Sequence, residues 1–440
     1  MEIDYCFVAF FRSVGRVGRT APIWEVYMRG IRTVLAATTM LAGIGAASAT
    51  DLEVTHWWTS GGEAAAVKVF ADAFNATGNN WVDGAIAGGG NARPIIISRI
   101  TGGDPMGATQ LNTGRDAEDL VKAGLMTDLT ELAEKEGWAD FIRPAKLLDS
   151  CRFEGKIYCV PVNIHSFQWM WMNRGVYEDN GLAVPTNWTE FVASAPALRE
   201  KGVIPLAVGG EPWQINGMSG VFMVALGGVD LYRQINAQKS AEAAASPEMT
   251  EVFEAISAAR GMVDDGFVGR AWNDAANMVI TGKAGAQIMG DWAQGEFSVA
   301  GLTAGKEYDC LPGLGMHPAL DTGGDAFYFP KPADGNPEIV KAQLEMASML
   351  VSKEVQVAFN LKKGSLPIRG DIDLAAANAC MQKGLVILEN PDNILPSGEQ
   401  TWSSDTQGQF EDLWVEFFND PGMSVDEAQE RFVEIVENAD

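Results

Sequence analysis

From Leu52 onward the chain alternates short extended runs with segments of helical period, and this alternation restricts the fold more than any other feature. Leu52-Glu53-Val54-Thr55 has the alternation and length of a strand. Val67, Phe70, Ala71 and Phe74 then recur at helical spacing, with Ser60 or a glycine placed to cap the start and Gly78 past the end. Trp81 to Ala87 reads as extended. Ile95, Ile96 and Ile100 mark a helix stopped by Gly102-Gly103-Asp104-Pro105. Ala108 to Leu111 is the next strand and Asp116 to Ala123 the next helix. Ile204 to Val208 reads as a buried strand between helices, and 336–361 and 405–438 as mainly helical. Strands and helices alternating at these distances imply an α/β layered fold.

Thr50 to Asp440 is long enough for two domains of about 150–200 residues. No repeat and no Pro- or Ser-rich linker divides it, so two lobes joined by several chain crossings are expected. Upstream, Met28-Arg29-Gly30-Ile31-Arg32 is short and basic, Val34 to Gly45 is apolar, and Ala47-Ser48-Ala49 has small residues where a signal peptidase cuts. These are the three parts of a secretory signal. The apolar run is shorter than the roughly 20 residues a membrane span needs, which argues against the alternative of an anchor helix. Residues 1–27 resemble no domain and read as an extension from an upstream start codon, so 1–49 is set aside.

The first 49 residues hold five arginines and three acids, which leaves 27 basic against 55 acidic side chains in the remainder. Phosphate backbones and anionic lipid surfaces would repel such a chain, so nucleic acid is not an expected partner. Cys6 precedes the signal, and Cys151, Cys159, Cys310 and Cys380 remain. In an exported protein an even set reads as two disulfides. Cys151 and Cys159 flank a hairpin whose turn is expected at Glu154-Gly155-Lys156, with Gly155 available for positive φ. Cys310 with Cys380 follows by elimination, and free buried thiols are the alternative.

Several chemistries lack their motifs. Gly217-Met218-Ser219-Gly220 misplaces the second glycine of a nucleophile elbow, and Gly88-Gly89-Gly90-Asn91-Ala92-Arg93 lacks the last glycine of a dinucleotide fingerprint. No Walker A lysine motif and no C-x-x-C occurs, and His56, His165 and His317 are too far apart for metal-ligand spacing. No catalytic residue, metal or cofactor is expected. What the chain has instead is tryptophan in glycine-rich loops beside carboxylates and amides: Trp58 near Glu63, Trp213 beside Gln214, Trp292 beside Asp291 and Gln294. A pyranose presents an apolar C–H face to a ring and a rim of hydroxyls to polar groups. Core packing is the competing explanation for Trp138, Trp169, Trp171, Trp188 and Trp414. Trp57 and Trp58 follow the first strand directly, where neighbours point to opposite faces and where α/β sheets bind ligands.

At these residues the chain resembles the glucose/mannose-binding proteins of bacterial ABC sugar importers. Thr55-His56-Trp57-Trp58-Thr59-Ser60-Gly61-Gly62-Glu63 is similar to their mature start. Further stretches match in order: 153–158, 160–165, 209–214, 290–297, and Lys363-Gly364-Ser365-Leu366-Pro367-Ile368-Arg369. The resemblance covers nearly all of 50–440. It implies a two-lobed periplasmic-binding-protein fold, with one lobe from 50–163 and 311–352, the other from 164–310 and 353–440, and a cleft that closes on a monosaccharide by a hinge. It also implies a periplasmic monomer that delivers its ligand to ABC permease subunits.

Carried over, the resemblance puts Trp57 and Trp58 stacked on the sugar, Glu63 and Asp291 accepting hydroxyl hydrogens, Lys363 donating, and His165 and Trp213 in or near the cleft wall. Each has a plainer reading. Glu63 sits where a first helical turn favours a carboxylate, Asp291 where an N-cap belongs, Lys363 among acids it could simply pair with, and His165 at a hinge. Two places depart from the family. Its lysine after the third strand is replaced by Asn112 or Arg115, and its P-S-x-A-H becomes Pro396-Ser397-Gly398-Glu399-Gln400, which leaves Gln400 as the candidate contact. These departures keep a different sugar, an oligosaccharide or a polyol open. A secreted glycoside hydrolase using Glu63 and Asp291 is the enzymatic alternative.

Overall fold

A computed structural model describes residues 49–439. Apart from Ala49, the export signal and the extension before it lie outside the described residues. Among the described residues, thirteen strands form two principal sheets and two small ribbons. The first sheet has the order β2-β1-β3-β12-β6, built from β1 (Asp51–His56), β2 (Asn80–Ala85), β3 (Ala108–Asn112), β6 (Cys159–Pro161) and β12 (Asp325–Tyr328). β1 runs parallel to β2 and β3, and β12 inserts antiparallel between β3 and β6. The second has the order β10-β7-β9-β8, from β7 (Trp169–Asn173), β8 (Ile204–Ala207), β9 (Ala284–Ile288) and β10 (Tyr308–Pro312). The ribbons are β4 (Arg152–Phe153) with β5 (Lys156–Ile157), and β11 (Leu320–Asp321) with β13 (Ile394–Leu395). The expected α/β layering, and the strands at 52–55, 108–111 and 204–208, are therefore present.

Helix α1 (Gly61–Ala76) follows β1 as its spacing implies. The Ser60 side chain caps it by accepting the Glu63 N–H, and Val67, Phe70 and Phe74 form its buried stripe. Helix α2 (Gly89–Thr101) buries Ala92, Ile96 and Ile100 and stops at Gly102. The helix expected at Asp116 to Ala123 shortens to Glu118–Lys122. The hairpin turn also differs. Glu154 (φ 49°) and Gly155 (φ 84°) both take the left-handed conformation, and Lys156 already pairs with Phe153. A two-residue turn of this kind matches strand twist better than the three-residue turn expected. Both disulfides, Cys151–Cys159 and Cys310–Cys380, are formed.

The chain passes between the lobes in three stretches that run side by side. Ile164 bridges Leu366, and His165 bridges Gly323. Two lobe boundaries shift from those expected. β10 stays in the second sheet through Pro312, so that crossing begins after it. The helix Lys353–Lys363 packs on α1, with Phe359 stacked on Phe70 at 4.0 Å, so the last crossing follows Lys363. The core of the first lobe extends onto one face of the second sheet, where Trp169, Trp171 and Cys310 lie, while Met170 and Met172 face a second core under the C-terminal helices. That alternation is the ordinary consequence of a strand's two-residue period.

Candidate functional site

A cavity of about 630 Å³ opens between the lobes, within the roughly 300–1,000 Å³ typical of small-molecule sites. The first lobe contributes the loop after β1 and the end of β3. Trp57, half-buried, lines the cavity. Its backbone N–H donates to Gln110 Oε1 at 3.0 Å, and α2 backs its indole through Gly89 and through Arg93, whose guanidinium lies 4.8 Å from the ring centre. Trp58 also reaches the cavity, but its ring is 1% exposed and sits among Phe70, Phe327 and Phe359. The two neighbours point to opposite sides of the sheet end, as strand geometry demands.

Glu63 and Lys363 meet at the cavity floor. Lys363 Nζ donates to Glu63 Oε1 at 2.9 Å, and the Ser60 hydroxyl donates to Glu63 Oε2 at 3.1 Å. Burial pulls the Lys363 ammonium down, but the carboxylates of Glu63 and Asp325 outweigh it and hold the pKa above the usual lysine value. The ammonium lies 5.5 Å from the Trp58 ring centre and 6.0 Å from that of Trp292.

His165 lies on the first crossing, and its ring faces the cavity. Its Nδ1 is 3.2 Å from Asp325 Oδ2. Burial opposes the imidazolium, but Asp325 prevails and raises the pKa to about 9. Asp325 is desolvated too, yet His165, Lys363 and the Asn163 amide hold its carboxyl below the usual range. Gln110 donates to its other oxygen at 2.7 Å, so one carboxylate ties the Trp57 support to the hinge. Asp321, on the second crossing, accepts from the Ser166 hydroxyl and from the Phe167 N–H.

The second lobe adds an aromatic wall of Phe167, Trp213 and Trp292. Phe167 stands edge-on to Trp292 at 5.3 Å, and Trp213 lies 6.1 Å from Trp292. Two glycines make room for it. A Cβ at Gly217 would lie 2.2 Å from the Phe167 ring, and one at Gly290 2.1 Å from that of Trp292.

Of the residues expected to touch ligand, Trp57, Trp58, Glu63, Asn112, His165, Trp213 and Lys363 line the cavity, whereas Asp291 and Gln400 do not. Asp291 is 3% exposed, and its Oδ2 accepts the Ser166 N–H at 3.0 Å rather than capping the following helix. Burial raises its pKa to about 8 against the pull of His165. Of the two carboxylates, Glu63 lines the cavity and is held by Lys363, whereas Asp291 is turned to backbone. Gln400 donates to the Thr322 carbonyl at 2.7 Å and accepts from the Ser397 N–H at 3.4 Å, so its neighbour Glu399 takes the cavity-facing place. Arg115 donates to Glu118, and Asn112 occupies the position after β3. Sequence reasoning missed Asp325, Gln110 and Arg93. The signal for Asp325 was an acid behind Gly323-Gly324 at the start of a strand.

Residues 58–348 match the family described as bacterial extracellular solute-binding protein. A "Probable sugar-binding periplasmic protein" of Rhizobium meliloti (strain 1021) is 39% identical over 80% of this chain and 84% of its own length. The Haloferax volcanii "Xylose/arabinose-binding protein XacG" is 25% identical over 73% of this chain and 70% of its own. Among solved structures, the receptor AcbH, described as preferring β-D-galactopyranose exclusively, superposes with a TM-score of 0.72 at 18% identity, covering 88% of this chain and 97% of that one. A "Chitin oligosaccharide binding protein" gives 0.71 at 19%, over 88% and 98%. At these identities the structures establish a shared two-lobed fold.

Proposed function

The chain belongs to the bacterial extracellular solute-binding proteins, and from that premise we propose that it is the periplasmic binding subunit of an ABC importer. It captures a monosaccharide of glucose or mannose type by hinge closure and hands it to the permease. The observation that carries this reading is the buried Glu63–Lys363 pair set in one cavity with Trp57 and Trp292. That combination offers a ring face, an acceptor and a donor in a desolvated place, which is what a pyranose needs. Trp57, Glu63, Asn112, His165, Trp213 and Lys363 are the contacts, and Asp291 and Gln400 act from behind through the backbone they hold. The hinge is a two-state element whose closed form the sugar stabilises.

Titration of tryptophan fluorescence with hexoses, pentoses and disaccharides tests the reading. A saturable change with a hexose is expected, and a flat response to every sugar would sink it. A larger sugar or a polyol is the second reading. It is favoured by the extent of the cavity, which continues past the aromatic wall to Tyr232, Trp402 and Phe410.

A further inference from the structure

The end of one strand, β3, supports Trp57 twice. The first support is to its backbone, whose N–H donates to Gln110 Oε1 at 3.0 Å. The second reaches its ring by a longer route. Asn112 is the last residue of β3, and its N–H donates to Asp116 Oδ2 at 3.2 Å. The same oxygen accepts from Arg93 Nε at 3.1 Å. The guanidinium anchored in this way lies over the Trp57 indole, 4.8 Å from its centre. Gly89 and Arg93 are four residues apart on α2 and so share a face of that helix. A Cβ on Gly89 would stand 3.5 Å from Trp57 Cδ2 and 3.5 Å from Arg93 Nη1. One face of the indole therefore lies against α2 and its arginine.

The residue type suits this place. A guanidinium is flat, so it can stack on a ring while its Nε–H points in its own plane to a carboxylate. The Asp116 side chain is 10% exposed and that of Arg93 34%, so the pair is partly sheltered from the screening that weakens surface pairs. A half-buried tryptophan in a loop otherwise samples several rotamers, and a ligand that stacks on it must select one. A ring already held in that rotamer spares the ligand this cost.

We propose that Arg93 is a positioning residue for ligand capture: anchored by Asp116, it holds the Trp57 indole in its stacking orientation before the ligand arrives and leaves the opposite face for it. The proposal rests on the reading of Trp57 as a sugar platform. Arg93 also lines the cavity, so direct contact with the ligand is the rival account. The two differ in whether the effect of Arg93 passes through the Trp57 ring.

A double-mutant cycle on the whole mature protein separates them. Sugar affinity is measured by calorimetry in the wild type, Arg93→Met, Trp57→Ala and the double variant. Arg93→Met keeps the length of the side chain but loses the planar cation. It should weaken sugar binding about fivefold in the wild type and cause no further loss once Trp57 is gone. A spectroscopic readout accompanies it. The part of the near-UV circular dichroism that Trp57 contributes, taken as the difference from Trp57→Phe, should collapse in Arg93→Met without sugar present. A residue that only stabilised the fold would lower the melting temperature and leave that signal intact. Asp116→Asn, measured in the same way, takes the place of Arg93→Met if thermal unfolding shows the latter to be misfolded. Unchanged affinity in Arg93→Met, an equal loss with and without Trp57, or an unaltered Trp57 signal would each overturn the positioning role and leave the sugar site standing. No binding of any sugar by the wild type would overturn the reading of the site itself.

Discussion

Lys363 Nζ lies 2.9 Å from Glu63 Oε1, and both side chains are buried. One ends the helix Lys353–Lys363 and the other opens α1. Lys363→Met leaves a buried carboxylate without its cation, so a loss of about 3–5 kcal/mol is expected in chemical denaturation. Glu63→Gln together with Lys363→Met should recover most of that stability but not sugar binding. Recovery of both would remove the pair from the site.

The two adjacent tryptophans should part company on substitution. Trp57→Ala should lower sugar affinity at least about tenfold by titration with little change in melting temperature, because its ring is half-buried at the cavity. Trp58→Ala should cost about 3–5 kcal/mol of stability, because its ring is 1% exposed among three phenylalanines.

Stability should fall on the alkaline side. The His165 pKa rises from 6.5 to about 9, so its contribution is fully present below pH 6.5 and is lost as pH climbs through 9. That shift corresponds to about 3 kcal/mol at most. Asp291, raised from 3.8 to about 8, acts in the same direction over its own lower window, as deprotonation leaves a desolvated charge. Denaturant midpoints across pH 6 to 10 should drop less steeply in His165→Asn than in the wild type. Parallel curves would show that the hinge histidine is not the group responsible.

Gly62 packs against Gly295, and a Cβ there would lie 2.5 Å from the Gly295 carbonyl carbon. Gly62→Ala must therefore push α1 away from the helix Ala293–Val299 and strain the Gly62 N–H bond to Glu296. A loss of about 1–3 kcal/mol is expected in unfolding experiments, and an unchanged midpoint would rule the contact out.

Local order was legible where one period dominates. Ser60, Phe70 and Phe74 announce α1 because cap and stripe lie within a few turns. The tandem Trp57-Trp58 was legible as a strand-end feature, but not which ring enters the core, because Phe327 and Phe359 come from far along the chain. That Asp291 and Gln400 take backbone atoms on the crossings as partners was not legible, because those atoms lie far away along the chain. Asp325 stayed hidden for the same reason. Its importance comes from Gln110, Asn163 and His165, all distant in sequence.

The position of β12 bears on how the chain is made. Its four residues lie between β3 and β6 in the first sheet, yet they follow all four strands of the second sheet in the chain. A nascent polypeptide that stops short of Asp325 has β6 with no neighbour, and α1 without Phe359 against it. The lobe that begins first therefore cannot be completed before the lobe that begins second is mostly synthesised. Such non-local closure is slow, and a chain that closes late stays threadable for longer.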